Sequence, residues 1–249
     1  MNEQYIDHAD IVVTHKCNNH CKFCIDKFVN TEDRLVSIEN VEKFMKLLRK
    51  NTDKIFSVLL LGGEPTTAPT EYLIQIAEIV HKYGFRVMMS TNGLDKEKII
   101  ELLPYFDWVQ VTVYNDKQID FWSQWPDKIN IKWCGDKLFT IEKLRHFVEY
   151  TKDFKRRSIS MYFTPDWKEL CADENVWDLL NTLDWKRNGS YYYAFYEGVR
   201  FKKCVSGETN LIDEPTIPKL YPNGNYNKTW NHEELDDYLS DNEWEEKMV

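Results

Sequence analysis

The sequence is short of basic charge, of any long apolar run and of a second cluster of cysteines, and each shortage removes a class of function. Lys and Arg number 32 against 41 Asp and Glu, a net charge of −9, and the pI is about 5.3. A protein that grips nucleic acid mainly by neutralising phosphates needs a net basic surface, so that mode is set aside while a local basic groove stays open. No stretch approaches the ~20 apolar residues that cross a bilayer, so no membrane partner is expected. Residues 1–10 are acidic and polar where a signal peptide would carry a basic start and an apolar core, and the expected location is the cytoplasm. Six cysteines in that setting are read as reduced thiols or metal ligands rather than a disulfide framework. No repeat of about 20–50 residues stands out beyond an alternation of strand and helix patterns.

What is present is enough apolar material for one large domain: 249 residues, 43% hydrophobic. Short β-branched runs at 11–15, 55–61, 85–90, 108–114, 129–134 and 158–163 read as strands. Between them, residues 38–50, 70–83, 95–103 and 139–152 carry apolar side chains at three- and four-residue spacing, as in Val41, Phe44, Met45 and Leu48, with weaker helical patterns at 115–126 and 173–183. Alternating βα units predict an α/β fold with a parallel sheet, a partial (β/α)6 barrel two units short of a closed eightfold one. Residues 1–185 would form this partial barrel. Residues 186–249 read as an irregular C-terminal extension that could cap the substrate without being an independent domain. That extension holds an aromatic, strand-like run at 189–201, then Pro215, Pro218, Pro222 and Gly224, which break regular elements, and an acidic stretch at 233–246 that could form a short helix.

Directly after the first strand comes Cys17-Asn18-Asn19-His20-Cys21-Lys22-Phe23-Cys24. Three soft thiolates within eight residues, in a polar loop at a strand's carboxyl end, can converge on an iron–sulfur cluster, Cu(I) or zinc. A structural zinc site or a plain electron-transfer cluster takes four ligands, so a cluster held by these three cysteines keeps one iron open. Other readings are a buried cysteine stripe on one helical face, a redox thiol, and a Cys3His zinc site completed by His20. Polar Asn18, Asn19, His20, Lys16 and Lys22 make a poor core stripe. Further polar features come in strand order: Gly62-Gly63-Glu64-Pro65 after the second strand, Ser90-Thr91-Asn92-Gly93 after the third, and Thr112 in the fourth with Tyr114 at its end. Paired glycines let a ligand approach the backbone, Glu64 offers a carboxylate to an ammonium group, and Ser90, Thr91 and Asn92 suit a ribose or carboxylate.

The Cys-x3-Cys-x2-Cys loop with Phe23 before its third cysteine resembles the signature of the radical S-adenosylmethionine (radical SAM) superfamily. The resemblance extends through Gly-Gly-Glu-Pro and Thr-Asn-Gly, in order, over residues 11–135. It implies that Cys17, Cys21 and Cys24 hold a [4Fe–4S] cluster whose open iron is chelated by S-adenosylmethionine (SAM). It also implies that Phe23, Gly62, Gly63, Glu64, Pro65, Ser90, Asn92 and Thr112 surround that cofactor. Reductive cleavage would then give methionine and a 5′-deoxyadenosyl radical that abstracts hydrogen from substrate, with flavodoxin or ferredoxin as electron donor. Tyr114-Asn115-Asp116 departs from the family's frequent Asp-Gly at that place. Whether the reaction is an oxidation, a transfer or an isomerisation is open.

Cys134, Cys171 and Cys204 are too few and too scattered for an auxiliary-cluster domain. Cys134, at the end of the fifth strand, and Cys204, after the aromatic run, are candidate hydrogen donors to a substrate radical, against the plainer reading of buried inert thiols. Arg200, Lys202, Lys203, Lys186 and Arg187 flank the aromatic run and would suit an anionic substrate, or are solvated surface charge. The expected substrate is a peptide or an amino-acid-like molecule. The alternatives are a partner enzyme that receives a glycyl radical, a nucleotide or purine to be rearranged, and a non-enzymatic zinc-binding module.

Overall fold

The computed structural model describes residues 8–21, 34–51, 57–135, 140–161, 174–188, 191–204, 218–224 and 226–227. The chain divides into two compact units, Met1–Val109 with Pro215–Val249, and Gln110–Glu214.

The first unit holds strands β1 (His8–Thr14), β2 (Ser57–Gly62) and β3 (Arg86–Thr91), with helices α1 (Ile38–Asn51), α2 (Thr70–Lys82) and α3 (Lys96–Leu102). β1, β2 and β3 run parallel in that order. Period-two burial shows in β2, where Val58 and Leu60 are buried, and in β3, where Val87 and Met89 are. Val41, Phe44, Met45 and Leu48 form the buried stripe of α1, as their spacing predicts. Ser37 starts that helix, its Oγ accepting from Asn40 N–H at 3.1 Å. Near its other end Arg49 donates through Nε to the Tyr83 carbonyl at 2.8 Å and lies 4.1 Å over the Phe85 ring, so α1 also closes the C-terminus of α2.

The second unit holds β5 (Ile129–Gly135), β6 (Arg156–Met161), β7 (Lys186–Asn188), β8 (Tyr191–Tyr196) and β9 (Val199–Cys204), together with β4 (Trp108–Val113) from Gln110 onward. Its helices are α4 (Asp116–Trp122), α5 (Ile141–Tyr150) and α6 (Glu174–Thr182). β5, β6 and β9 are parallel, while β8 pairs antiparallel with β9 and β7. One face is apolar and buried at Ile131, Ile159, Phe201 and Ala194, and Trp133 of that face meets Phe147 of α5 at 5.3 Å. The opposite face carries Asn130, Lys132, Cys134, Ser158 and Ser160, all buried.

The α/β class and the βα order therefore match expectation, with ends shifted by at most four residues, the largest shift being the early end of α4 at Trp122. The exception is the run at 189–201, which is not one strand. Glu197 and Gly198 both have positive φ, 47° and 77°, and turn the chain between β8 and β9. A turn with two left-handed central residues matches the twist of a hairpin. Regular structure also persists beyond Cys204: β10 (Lys219–Leu220) pairs parallel with β1, and β11 (Tyr226–Asn227) antiparallel with β10. The acidic stretch at 233–246 lies outside the described residues. Among the described residues no helix is long and apolar enough to cross a membrane.

β10 brings a buried charge pair to β1. Lys219 Nζ lies 3.1 Å from Asp10 Oδ2 and each side chain is 2% exposed, while Asp10 N–H donates to the Pro218 carbonyl at 2.8 Å. Removing one partner of such a pair strands the other charge. Asp10→Asn is expected to lower unfolding stability by about 3–5 kcal/mol, whereas Asp10→Asn with Lys219→Met recovers most of it; urea denaturation of both variants checks this.

Candidate functional site

The rim of the first unit is made by the carboxyl ends of β1, β2 and β3. β1 is irregular at its last pair, where register with β2 shifts between Val12 and Thr14. Such a bulge bends a strand and redirects the chain beyond it. Here the redirected segment is the cysteine loop. Lys16 N–H donates to Thr14 Oγ1 at 3.1 Å, which tightens the exit from the strand.

The Gly62-Gly63 pair docks that loop. Gly62 has φ +136°, and a Cβ there would stand 2.2 Å from the Thr14 carbonyl oxygen. At Gly63 a Cβ would lie 2.4 Å from the carbonyl oxygens of both His15 and Lys16. Gly63 N–H donates to Thr14 O and Glu64 N–H to Lys16 O, each at 2.8 Å. The room that glycine opens is thus filled by the chain itself. Two backbones zip together there, and only residues without Cβ permit it.

Glu64 then turns inward. Its carboxylate is 1% exposed and is met by four donors. Oε1 accepts from Thr66 N–H at 3.1 Å, Thr66 Oγ1 at 2.8 Å and Thr91 Oγ1 at 2.6 Å, and Oε2 accepts from Asn92 N–H at 2.7 Å. One side chain therefore fixes the short 3-10 turn Pro65–Thr67 and the end of β3. Lys98 of α3 donates to the carbonyls of Thr66 at 2.7 Å and Ala68 at 3.2 Å, satisfying the same turn from the other side. Asn92 closes the circuit, its Nδ2 donating to Asn18 Oδ1 in the cysteine loop at 2.7 Å.

Cys17 and Cys21 are half-buried on this loop. Asn19 N–H donates to Cys17 Sγ at 3.4 Å, so the sulfur serves as an acceptor, as a ligating thiolate does. His20 is exposed. Phe23 and Cys24 lie outside the described residues. Among the described residues no three His, Cys, Asp or Glu side chains group as a metal site. The two described thiols sit on a pinned polar loop that suits a soft-metal cluster and would be wasteful as core packing. Where the chain re-enters, Val36 N–H donates to Val13 O at 2.9 Å and Tyr72 donates to Val36 O; burial pushes the Tyr72 phenol pKa up.

Of the residues singled out in the sequence, Cys17, Cys21, Gly62, Gly63, Glu64, Pro65, Ser90 and Asn92 belong to the rim strands and loops of the first unit. Thr112 and Cys134 belong to the second unit, at 8% and 7% exposure. Cys204 is the last residue of β9 and pairs with Tyr191. Asn115, in the segment that departs from the family pattern, caps α4 by accepting from Gln118 N–H at 3.1 Å. Thr66, Asn18 and Lys98 were not singled out. Thr91 was grouped with Ser90 and Asn92 for its hydroxyl, which is in phase with buried Val87 and Met89 and donates to the Glu64 carboxylate.

Residues 11–116 match the family profile described as "Radical SAM superfamily". The chain is 24% identical over 225 residues to a protein of Fibrobacter sp. (strain UWH6) named S-adenosylmethionine-dependent nucleotide dehydratase, covering 86% of this chain and 64% of that one. It is 32% identical over 119 residues to a putative L-lysine 2,3-aminomutase of Aquifex aeolicus, covering 43% of this chain and 31% of that one. Streptococcus suis SuiB, solved bound to precursor peptide SuiA, superposes with a TM-score of 0.62 at 16% identity over 95% of this chain and 62% of SuiB. At that identity the likeness is one of fold. The chain spans less than two thirds of the length of each of these proteins.

The docking geometry predicts the outcome of two substitutions. Gly63→Val should displace the cysteine loop and so lower iron loading together with SAM affinity; loading equal to wild type, read by iron and sulfide assay after anaerobic reconstitution, contradicts it. Glu64→Gln replaces an acceptor with a donor facing an N–H or a hydroxyl, and is expected to cost about 1–3 kcal/mol of stability in denaturant unfolding.

Proposed function

The chain belongs to the radical SAM superfamily, and on that footing we propose that it is an enzyme that cleaves SAM reductively at a [4Fe–4S] cluster held by Cys17, Cys21 and Cys24. The observation that carries this reading is the backbone docking of the cysteine loop onto Gly63 and Glu64, which fixes Cys17 and Cys21 at the strand-end rim. Parallel α/β sheets build their sites at that end. When bound, the cluster and SAM supply one-electron chemistry that yields a 5′-deoxyadenosyl radical, which no side chain of the protein can furnish.

The chain's own residues position and shield. Cys17, Cys21 and Cys24 take three cluster positions. Gly62, Gly63, Glu64 and Pro65 form the wall beside them, with Glu64 acting mainly by holding that wall rigid. Ser90 and Asn92 from the end of β3, Thr112 from β4, and Phe23 complete the proposed cofactor contacts. Cys134 is the proposed hydrogen donor to a substrate radical, with Cys204 as the alternative. Residues 186–249 would extend and cap the barrel of residues 1–185. Flavodoxin or ferredoxin would deliver the electron.

Two substrate readings have support. SuiB was solved with a precursor peptide, which accords with a peptide or amino-acid-like substrate. The Fibrobacter relative is named for a nucleotide, and the cationic, serine-lined face of β5, β6 and β9 favours that second reading.

Cys21→Ala is expected to lose both the cluster and SAM cleavage. Full formation of 5′-deoxyadenosine by that variant, measured by chromatography under dithionite, is incompatible with the proposal. Deuterium carried from a labelled substrate into 5′-deoxyadenosine identifies the true substrate among peptide and nucleotide candidates.

A further inference from the structure

The register of the second unit lays two rows of side chains across one sheet face. Parallel and antiparallel partners share a face, so Lys132 of β5, Ser158 of β6, Arg200 of β9 and Phe195 of β8 form the first row. Cys134, Ser160, Lys202 and Tyr193 form the second. Neighbouring strands lie about 4.8 Å apart, so Lys132 and Arg200 start roughly 10 Å from each other with Ser158 between them. Three cations are thus gathered on a patch two strand spacings wide, in a chain whose net charge is −9. Neither row contains an acidic residue.

Burial makes this arrangement informative. Lys132 is 9% exposed, Ser158 3% and Ser160 9%. A solvated charged surface would not look like this. Ser158 Oγ is buried with no hydrogen-bond partner among the described residues, and so is Oδ1 of Asn130, two residues before Lys132 in β5. Buried polar atoms are almost always paired, because leaving a donor or acceptor dry costs about 1–3 kcal/mol. A hydroxyl with no partner among the described residues, set between a lysine and an arginine, has the donor chemistry of an anion site. The far end of the rows differs in character. Phe195 is 60% exposed and meets Tyr193 edge-on at 6.1 Å, which leaves an aromatic pair with one exposed ring beside the cations.

We propose that this face binds a nucleoside phosphate, with Lys132, Ser158, Arg200 and Lys202 holding the phosphate groups and Phe195 with Tyr193 receiving the base. Lysine and arginine together favour a multiply charged phosphate chain over a single carboxylate, which one bidentate arginine would satisfy. A peptide spreads its carboxylates over separate side chains and carries no base to lie against the aromatic pair. The inference deepens the nucleotide reading of the proposed function. Cys134 shares the row of Ser160 and Lys202, which puts the proposed hydrogen donor on the same face as the phosphates.

The test is a calorimetric titration of the full, anaerobically reconstituted chain with inorganic tripolyphosphate and with each of the four ribonucleoside triphosphates. Iron content and the SAM-perturbed paramagnetic signal are read on the same samples, so failure of the cofactor reading shows separately from failure of anion binding. At least one nucleotide should bind, more tightly than tripolyphosphate and more weakly as salt is raised. Arg200→Gln and Lys202→Gln should each weaken it about tenfold or more, while Lys143→Gln, an exposed residue of α5, should not. Phe195→Ala should weaken the nucleotide and spare tripolyphosphate. No binding of any of the five probes, affinity indifferent to both Arg200→Gln and Lys202→Gln, or equal loss with Lys143→Gln overturns the proposal.

Discussion

A carboxylate that has given up its water must be satisfied by protein donors, and the way Glu64 is satisfied fixes the geometry of the whole rim. Its four donors come from the turn after β2 and from the end of β3, and its own N–H is given to the cysteine loop. Three strand ends, distant in sequence, are therefore referred to one buried charge. Hydrogen bonds to an ionised acceptor are roughly twice as strong as neutral ones, and in a dry site they are hard to exchange for water. The loop that carries Cys17 and Cys21 inherits this rigidity through Gly63 and through the Asn92–Asn18 contact. The cluster proposed for this loop would need its ligands preorganised, and the hydrogen bonds to Glu64 and Gly63 supply such a framework.

Much of this architecture was legible in the residues. The Val41, Phe44, Met45, Leu48 spacing located α1, and β-branched runs located the six strands of the βα series within a few residues, because each buries one face against a helix layer. The order of the cysteine, Gly-Gly-Glu-Pro and Thr-Asn-Gly segments placed them at successive strand ends. The features that stayed hidden depended on partners far along the chain. Thr91 and Asn92 reach Glu64 across 27 and 28 positions, so nothing local reveals that this carboxylate faces inward. The glycines were legible as close-approach positions, while the identity of the approaching group, the carbonyls of His15 and Lys16, was not. The hairpin at Glu197–Gly198 was hidden by the aromatic run around it, although Gly198 was its one local signal.

The second unit shows how an acidic protein can still present a cationic surface. Net charge describes the whole molecule, whereas register decides which side chains share a face. Lys132 is far in sequence from Arg200 and Lys202 of β9 and joins them on one sheet face only because β6 pairs with both β5 and β9. The basic residues around the aromatic run hinted at an anionic substrate. Strand pairing supplies Ser158, Ser160 and Cys134 as their neighbours, and the buried serines distinguish a site from ordinary surface charge.

The central claim is that the pinned cysteine loop offers a cluster with one iron free for SAM. Electron–nuclear double resonance on the reduced, reconstituted chain with nitrogen-15-labelled SAM tests it directly. About four irons and four sulfides per chain are expected, with a labelled-nitrogen coupling that shows SAM bound to iron. One zinc per chain, or a cluster whose spectrum is unmoved by SAM, would contradict it.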